Sequence, residues 1–256
     1  MNVEAQKYIL NDLDSHVISL HRFLCSFNRK PQKFFDTLFA LIKHYGLSCS
    51  YLYDIVPQEL KTQFVKTYYA RFNKEAFNQL KNDFNKEHRE DLFYLYTLLI
   101  YGFNRMLRFN RLGDYNLPVG NVDFNQNTFD ALVDYFAITK GKHIRWENFD
   151  FHRFFERLQV TEQDLIYLDP PYLITFSEYN KYWNEETERD LLQILDTLNE
   201  RHIRFAISNV THYKGTINRI FLVWSEQYNS YPIKSNYISY HDNTIKSFSE
   251  VLVTNY

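Results

Sequence analysis

The stretch "IYLDPPYL", residues 166–173, sets an acid, two prolines and a tyrosine directly after an apolar run. Proline has no N–H for a sheet ladder, so Pro170 and Pro171 stop the strand that Ile166, Tyr167 and Leu168 begin. Asp169 and Tyr172 are left at the strand's carboxyl end. In an open α/β sheet that edge is where ligands bind. The carboxylate offers acceptors and the ring offers a flat face, a pair suited to a planar group carrying N–H donors. On these four residues alone, a strand-ending turn with a capping acid fits equally well.

Three other places carry polar residues with chemical potential. Asp12 ends the run "YILND", where an acid either caps the next helix or reaches sugar hydroxyls. In "WENF", Asn148 and Phe149 read as a polar strand end with a core ring. Arg105, Arg108 and Arg111 fall within seven residues with no acid among them, a local +3 on a chain of net charge −2. Such a cluster is either a solvated face or a set of phosphate contacts, one of which could read guanine. Ser208 and Asn209 in "AISN" end the next strand at the same edge as Asp169.

The elements that must position these residues alternate. "KYILNDLD" predicts a short strand and "SHVISLHRFLCSF" a helix with Ser15 at its N-cap. A helical block follows: "PQKFFDTLFALIKHY", "PQELKTQFVKTYYARFNKEAFNQLKNDF" and "REDLFYLYTLLIYGF". Residues 104–127 are rich in Asn, Arg and Gly, and "RLGD" predicts a hairpin turn. Beyond it come helix "TFDALVDYFAI", strand "HIRWENF", helix "DFHRFFERL", strand "DLIYLDPPY", helix "EETERDLLQILDTLNERH" and strand "IRFAISNV". That alternation predicts a parallel, doubly wound sheet. "SYPIKSNYISY" and "FSEVLVTNY" predict two closing antiparallel strands. The α/β pattern thus starts, is interrupted by a helical block, and resumes.

Composition bounds the function. The 256 residues are 45% hydrophobic and 18% aromatic, which predicts a folded chain with an aromatic core. Near-neutral charge confines any nucleic-acid face to a local patch. Cys25 and Cys49 have neither disulfide nor metal-ligand spacing, no metal is expected, and a reducing compartment fits. Neither a signal peptide nor an apolar membrane span is read, which predicts a cytoplasmic protein with no membrane partner.

The chain resembles the Dam-type (D12 class) adenine-specific DNA methyltransferases. "YILNDLDSHVISL", "YGFNRMLRFNRLGDYNLPVG", "DLIYLDPPY", "ERHIRFAISN" and "FSEVLVTNY" carry the resemblance in the family's order, over nearly the whole length. It implies a Rossmann-like, S-adenosylmethionine-dependent methyltransferase sheet with an inserted, mostly helical DNA-recognition domain. The sheet domain would span residues 1–16 and 127–256, and the insertion 17–126 with a hairpin at about 104–122. The implied activity is methyl transfer to the exocyclic amine of adenine in a short duplex site, as in restriction-modification systems. Related four-residue motifs also serve amino methylation of cytosine or RNA, but the ordered hairpin match favours adenine in DNA.

The resemblance also implies site roles. Asp169 and the Pro170 carbonyl would hold the amine of an extruded adenine, Pro171 would stiffen the loop, and Tyr172 would stack on the base. Asp12, Asn148, Phe149 and Asp169 would hold the cofactor, Asn148 standing where the family often has an acid. Phe103 would wedge into the stack, and Asn104 would contact phosphate or the orphan base. Arg105, Arg108, Asn110, Asn116 and Pro118 would contribute to the recognition surface, with Ser208 and Asn209 supporting the target-base pocket.

One part of the pattern departs. The family opens with a strand ending "PFxGxG", whereas none of this chain's six glycines forms a GxG or precedes Asp12. A strand, a Gly-rich turn and a helix, roughly 30–40 residues, are therefore absent, and the sheet is expected to be incomplete at its N-terminal side. Upstream coding sequence or a second polypeptide would supply them. Otherwise the chain is expected to be a catalytically inactive DNA-binding fragment.

Overall fold

The computed structural model describes residues 3–175, 183–234 and 248–256. It divides into two compact units, Met1–Asp150 and Phe151–Tyr256. In the first, the apolar "YILN" forms strand β1 (Tyr8–Asn11), followed by helix α1 (Ser15–Ser26). The N-cap is Asp14 rather than Ser15. Asp14 is extended and its carboxylate accepts the His16 N–H at 2.8 Å, whereas Ser15 is already helical.

Helix α2 (Pro31–Tyr45) begins on a proline and ends at Gly46, whose φ of 72° closes the C-terminus in the left-handed region. The next helical run is broken in two, α3 (Gln58–Gln63) and α4 (Tyr68–Glu87). β-Branched Val65 and Thr67 fall in the break, and Val65 is 71% exposed, so no burial offsets their poor helix propensity. Helix α5 (Leu92–Tyr101) is almost wholly apolar and runs through the core with Leu95, Leu98, Ile100 and Tyr101 buried. Phe34, Leu38, Phe77 and Phe124 pack in the same core. Helix α6 (Gln126–Thr139) leads to strand β2 (Ile144–Glu147), which pairs parallel to β1 with Asn11 opposite Glu147.

The second unit contains α7 (Phe151–Arg157), β3 (Leu165–Leu168), α8 (Glu185–Glu200), β4 (Arg204–Tyr213), β5 (Thr216–Ile217), α9 (Arg219–Ser225), β6 (Asn229–Ile233) and β7 (Phe248–Thr254). Its sheet order is β3-β4-β7-β6, with β5 folded back on β4. β3 and β4 are parallel and the β4–β7 and β6–β7 pairs antiparallel, an arrangement that includes the closing pair read from sequence. Residues 235–240 of that reading lie outside the described residues. Leu191, Leu195, Phe205, Ile207, Phe221 and Val253 form the core. The architecture is mixed α/β, and no described helix is long and apolar enough to cross a membrane.

Between α5 and α6 the chain makes the predicted hairpin. Gly120 N–H donates to Tyr101 O at 2.7 Å and Phe103 N–H to Pro118 O at 2.9 Å. Asn116 N–H donates to Arg108 O at 3.1 Å, and Gly113, at φ 79°, makes the turn. Gly102 at the base has an ordinary φ but no room for a side chain: a Cβ there would lie 2.7 Å from the Leu98 carbonyl oxygen and collide with the Tyr115 hydroxyl. Gly102→Ala is expected to destabilise the chain by about 1–3 kcal/mol, read as a lower urea midpoint; an unchanged midpoint contradicts this packing.

Candidate active site and nucleic-acid interface

Strand alternation and register build the DPPY site. Leu165, Tyr167 and Asp169 share one face of the β3 segment, while Ile166 and Leu168 turn into the core. The parallel register sets Leu168 opposite Ile207, so Asp169 follows on beside Ser208. Ser208 Oγ donates to Asp169 Oδ1 at 2.9 Å. Tyr167 OH lies 3.4 Å from Ser208 Oγ and extends the chain of hydroxyls. Tyr172 OH is 3.0 Å from the same Asp169 oxygen and 3.2 Å from Glu250 Oε1 on β7. The hydroxyl has one proton for the two carboxylates it lies between. Burial first, then the two carboxylates, raise the Tyr172 pKa, so it stays a donor.

These contacts fall on Oδ1. Among the described residues, Asp169 Oδ2 and the Pro170 carbonyl oxygen accept no hydrogen bond. Two acceptors thus remain at an exposed strand end, while the tyrosine backbone is held by Thr175 N–H donating to Tyr172 O at 3.0 Å. Glu250 escaped the sequence reading of the site. Its only signal was a lone acid inside the apolar strand "FSEVLV".

Asn209 is turned to the other face, as its odd-even relation to Ser208 requires. It is 1% exposed and donates to buried Glu188 at 3.4 Å. Trp183 Nε1–H (3.1 Å) and Asn218 Nδ2–H (2.6 Å) donate to the same carboxylate. The structure therefore brings Ser208 to Asp169 and takes Asn209 to an internal polar cluster.

In the first unit, the carboxyl ends of β1 and β2 are cross-braced. Asn11 and Phe149 exchange two hydrogen bonds of 2.9 Å. Asn148 Nδ2 donates to the carbonyls of Asp12 (2.8 Å) and Leu13 (2.9 Å), leaving its Oδ1 without a partner among the described residues. Asp12 Oδ1 accepts the Asp14 N–H at 2.7 Å. Partial desolvation raises the Asp12 pKa and that N–H opposes the rise. Asp12, Asn148 and Phe149 thus converge at one strand edge, with one side-chain oxygen on each of Asp12 and Asn148 unbonded among the described residues. These two acceptors fit groups that donate, such as the ribose hydroxyls and adenine amine of a nucleoside.

The hairpin presents a second polar face. Tyr115 and Leu117 are buried and Asn116 and Pro118 are exposed, the period-two pattern of a strand. Arg108 Nε donates to Asn116 Oδ1 at 2.8 Å, and exposed Phe103 joins Pro118 through its backbone bond. Asn104 and Arg105 both hold left-handed backbones, at φ 54° and 52°. Such conformations in non-glycine residues cost about 1–3 kcal/mol each and cluster at functional sites. Arg105 is tied to Thr128 Oγ1 at 3.1 Å. Asn110 holds the hairpin turn, its Oδ1 accepting the N–H groups of Leu112 (2.8 Å) and Asp114 (2.9 Å). Phe103 is brought to Pro118 and Arg108 to Asn116, with Asn104 next to Phe103 in the chain, while Arg105 and Asn110 are tied to Thr128 and to the turn.

Residues 1–241 match the family described as D12 class N6 adenine-specific DNA methyltransferase. The chain belongs to that family. It is 33% identical over 265 residues to the type II methyltransferase M.FokI of Planomicrobium okeanokoites, an alignment covering 100% of this chain and 37% of that protein. It is 29% identical over 270 residues to the modification methylase StsI of Streptococcus sanguinis, with the same two coverages. To the DNA adenine methylase of Escherichia coli K12 it is 26% identical over 215 residues, 82% of this chain and 66% of that one. The chain spans little more than a third of the length of the first two relatives.

Glu188 gives a test of the internal cluster beside the site. Burial raises its pKa above the usual glutamate value of 4.5, despite the opposing pull of its three donors. Its protonated form therefore favours the fold below that value, and the contribution is lost as pH rises through the elevated folded pKa. The stability advantage of the wild type over Glu188→Gln, from urea melts, is expected to shrink as pH rises above the ordinary glutamate value of 4.5. A difference independent of pH contradicts this.

Proposed function

We propose that this chain transfers a methyl group from S-adenosylmethionine to the exocyclic amine of an adenine in a short double-stranded DNA site, as part of a cytoplasmic restriction-modification system. The observation that carries the reading is the Asp169 carboxylate, fixed through Oδ1 by Ser208 while Oδ2 and the Pro170 carbonyl stay open. An adenine amine is a poor nucleophile because its lone pair is delocalised into the ring. Two acceptors at fixed positions accept hydrogen bonds from its two N–H groups and favour a pyramidal nitrogen. Preorganised groups aimed at developing charge are usually the largest catalytic contribution. Tyr172 gives the extruded base a stacking face, and Pro170 and Pro171 limit the loop's freedom.

S-adenosylmethionine, when bound, supplies an electrophilic methyl group on a sulfonium. Asp12 would hold its ribose hydroxyls, with Asn148 and Phe149 at its adenine. Phe103 would fill the gap left by the extruded base, Asn104 would meet the orphan base or a phosphate, and Arg108, Asn116 and Pro118 would face the groove. In this reading residues 1–16 and 127–256 form a Rossmann-like methyltransferase domain and residues 17–126 an inserted recognition domain. β1 and β3 each have one edge without a strand among the described residues. A second polypeptide carrying a strand and a Gly-rich loop is the protein partner this reading would add.

The chain is expected to bind S-adenosylmethionine at micromolar concentration by calorimetry, and Asp12→Ala to weaken binding about tenfold. Incubation with labelled cofactor and duplex DNA should yield N6-methyladenine after digestion. N4-methylcytosine instead would move the substrate to cytosine. No transfer by a cooperatively folded, duplex-binding chain would favour a DNA-binding module without turnover.

A further inference from the structure

Among the described residues the recognition hairpin has no third strand beside it, yet the outer edge of its second arm is bonded along its length. Asn85 on α4 makes a reciprocal pair with Tyr115, accepting its N–H at 2.8 Å and donating to its carbonyl at 3.0 Å. One turn earlier, Lys81 Nζ donates to Leu117 O at 3.2 Å. Just past the helix end, Arg89 donates to Leu112 O at 3.2 Å and pairs with Asp114. Arg89 Nε in turn donates to Asn85 O at 2.6 Å.

The spacing explains why a helix can do this. A step of four residues on a helix advances about 6 Å, and a step of two on a strand about 6.7 Å. Lys81 and Asn85 therefore meet Leu117 and Tyr115 in turn, running antiparallel to the arm. Residues 115 and 117 point their backbone groups to α4, while Asp114 O and Asn116 N–H pair with the first arm. The Tyr115 hydroxyl is fixed as well, within 3.1 Å of Leu98 O. The arm can neither slide by one residue nor swing without breaking the Asn85 pair. A one-residue slip would exchange exposed Asn116 and Pro118 for buried Tyr115 and Leu117.

We infer that Asn85, with Lys81 and Arg89, sets the register of the hairpin and is a positioning residue for DNA sequence preference, acting without touching DNA. The inference rests on the DNA-reading role given to the hairpin above. Asn85 is half-buried and Arg89 exposed, so Asn85→Ala and Arg89→Ala leave the aromatic core intact.

Two measurements on the full chain test it. In hydrogen exchange, Asn85→Ala should speed exchange of the Tyr115 and Asn116 amides at least about tenfold, with core amides of α5 unchanged. In selection from random duplexes, the wild type should recover a defined short motif. Both variants should lose at least about tenfold of that preference while binding random DNA within about twofold of the wild type, because Arg108 and Arg111 remain. Variants that select the wild-type motif equally well overturn the inference even if the hairpin amides exchange faster. A wild type that selects no sequence overturns the DNA-reading role and the inference together, and the two failures are distinct.

Discussion

The parallel pairing of β3 with β4 is the constraint on which the candidate site depends. It runs in register from Leu165 to Leu168 and ends at the two prolines. Because the ladder stops there, Asp169 is the first side chain past the strand, and because the register holds, Ser208 is beside it. The hydrogen bond orients the carboxylate without using both of its oxygens. A slip of one residue would put Asn209 at that place and turn Ser208 toward Glu188. The core behind the strands, from Leu191 to Val253, makes such a slip costly, since every apolar side chain would change face.

A similar economy governs the hairpin. Its base is closed by glycines that approach too tightly for a Cβ, and its middle is filled by Tyr115. Tyr115 is 1% exposed and packs against Phe77, Phe84 and Phe109. Burying one face of the hairpin leaves the alternate residues outside as a defined polar surface. The left-handed pair Asn104–Arg105 turns the chain at its edge beside exposed Phe103. A rigid support under an exposed, arginine-bearing face is what reading bases requires, whereas phosphate contacts alone tolerate a mobile arm.

Much of this was legible in the residues. The prolines announced the strand end, "RLGD" announced the turn, and α2 spans the stretch "PQKFFDTLFALIKHY" read as helical. What escaped depended on pairing distant in sequence or on parity. Glu250 reaches Tyr172 only because β7 pairs with β4, a contact no local pattern encodes. Ser208 and Asn209 do not end their strand as read from sequence: β4 runs on to Tyr213 because β7 pairs with it there, and only the register decides which of the two meets Asp169. The sequence reading ran through the α3–α4 break and left α9 unread, since β-branched residues and short apolar runs suit helix and strand alike. Arg105 and Asn110 carry donors suited to DNA; Arg105's partner Thr128 emerges only with the tertiary structure, whereas Asn110's partner Asp114 lies within the same hairpin turn.

The central claim is that the Asp169 carboxylate orients an exocyclic amine for methyl transfer. The most direct test is the single-turnover rate of methyl transfer to duplex DNA by the wild type and by Asp169→Ala, with cofactor and duplex affinities measured on both. The account predicts a rate lower by about a hundred- to a thousand-fold, well beyond any loss of cofactor or duplex affinity. A variant that transfers the methyl group at nearly the wild-type rate would contradict it.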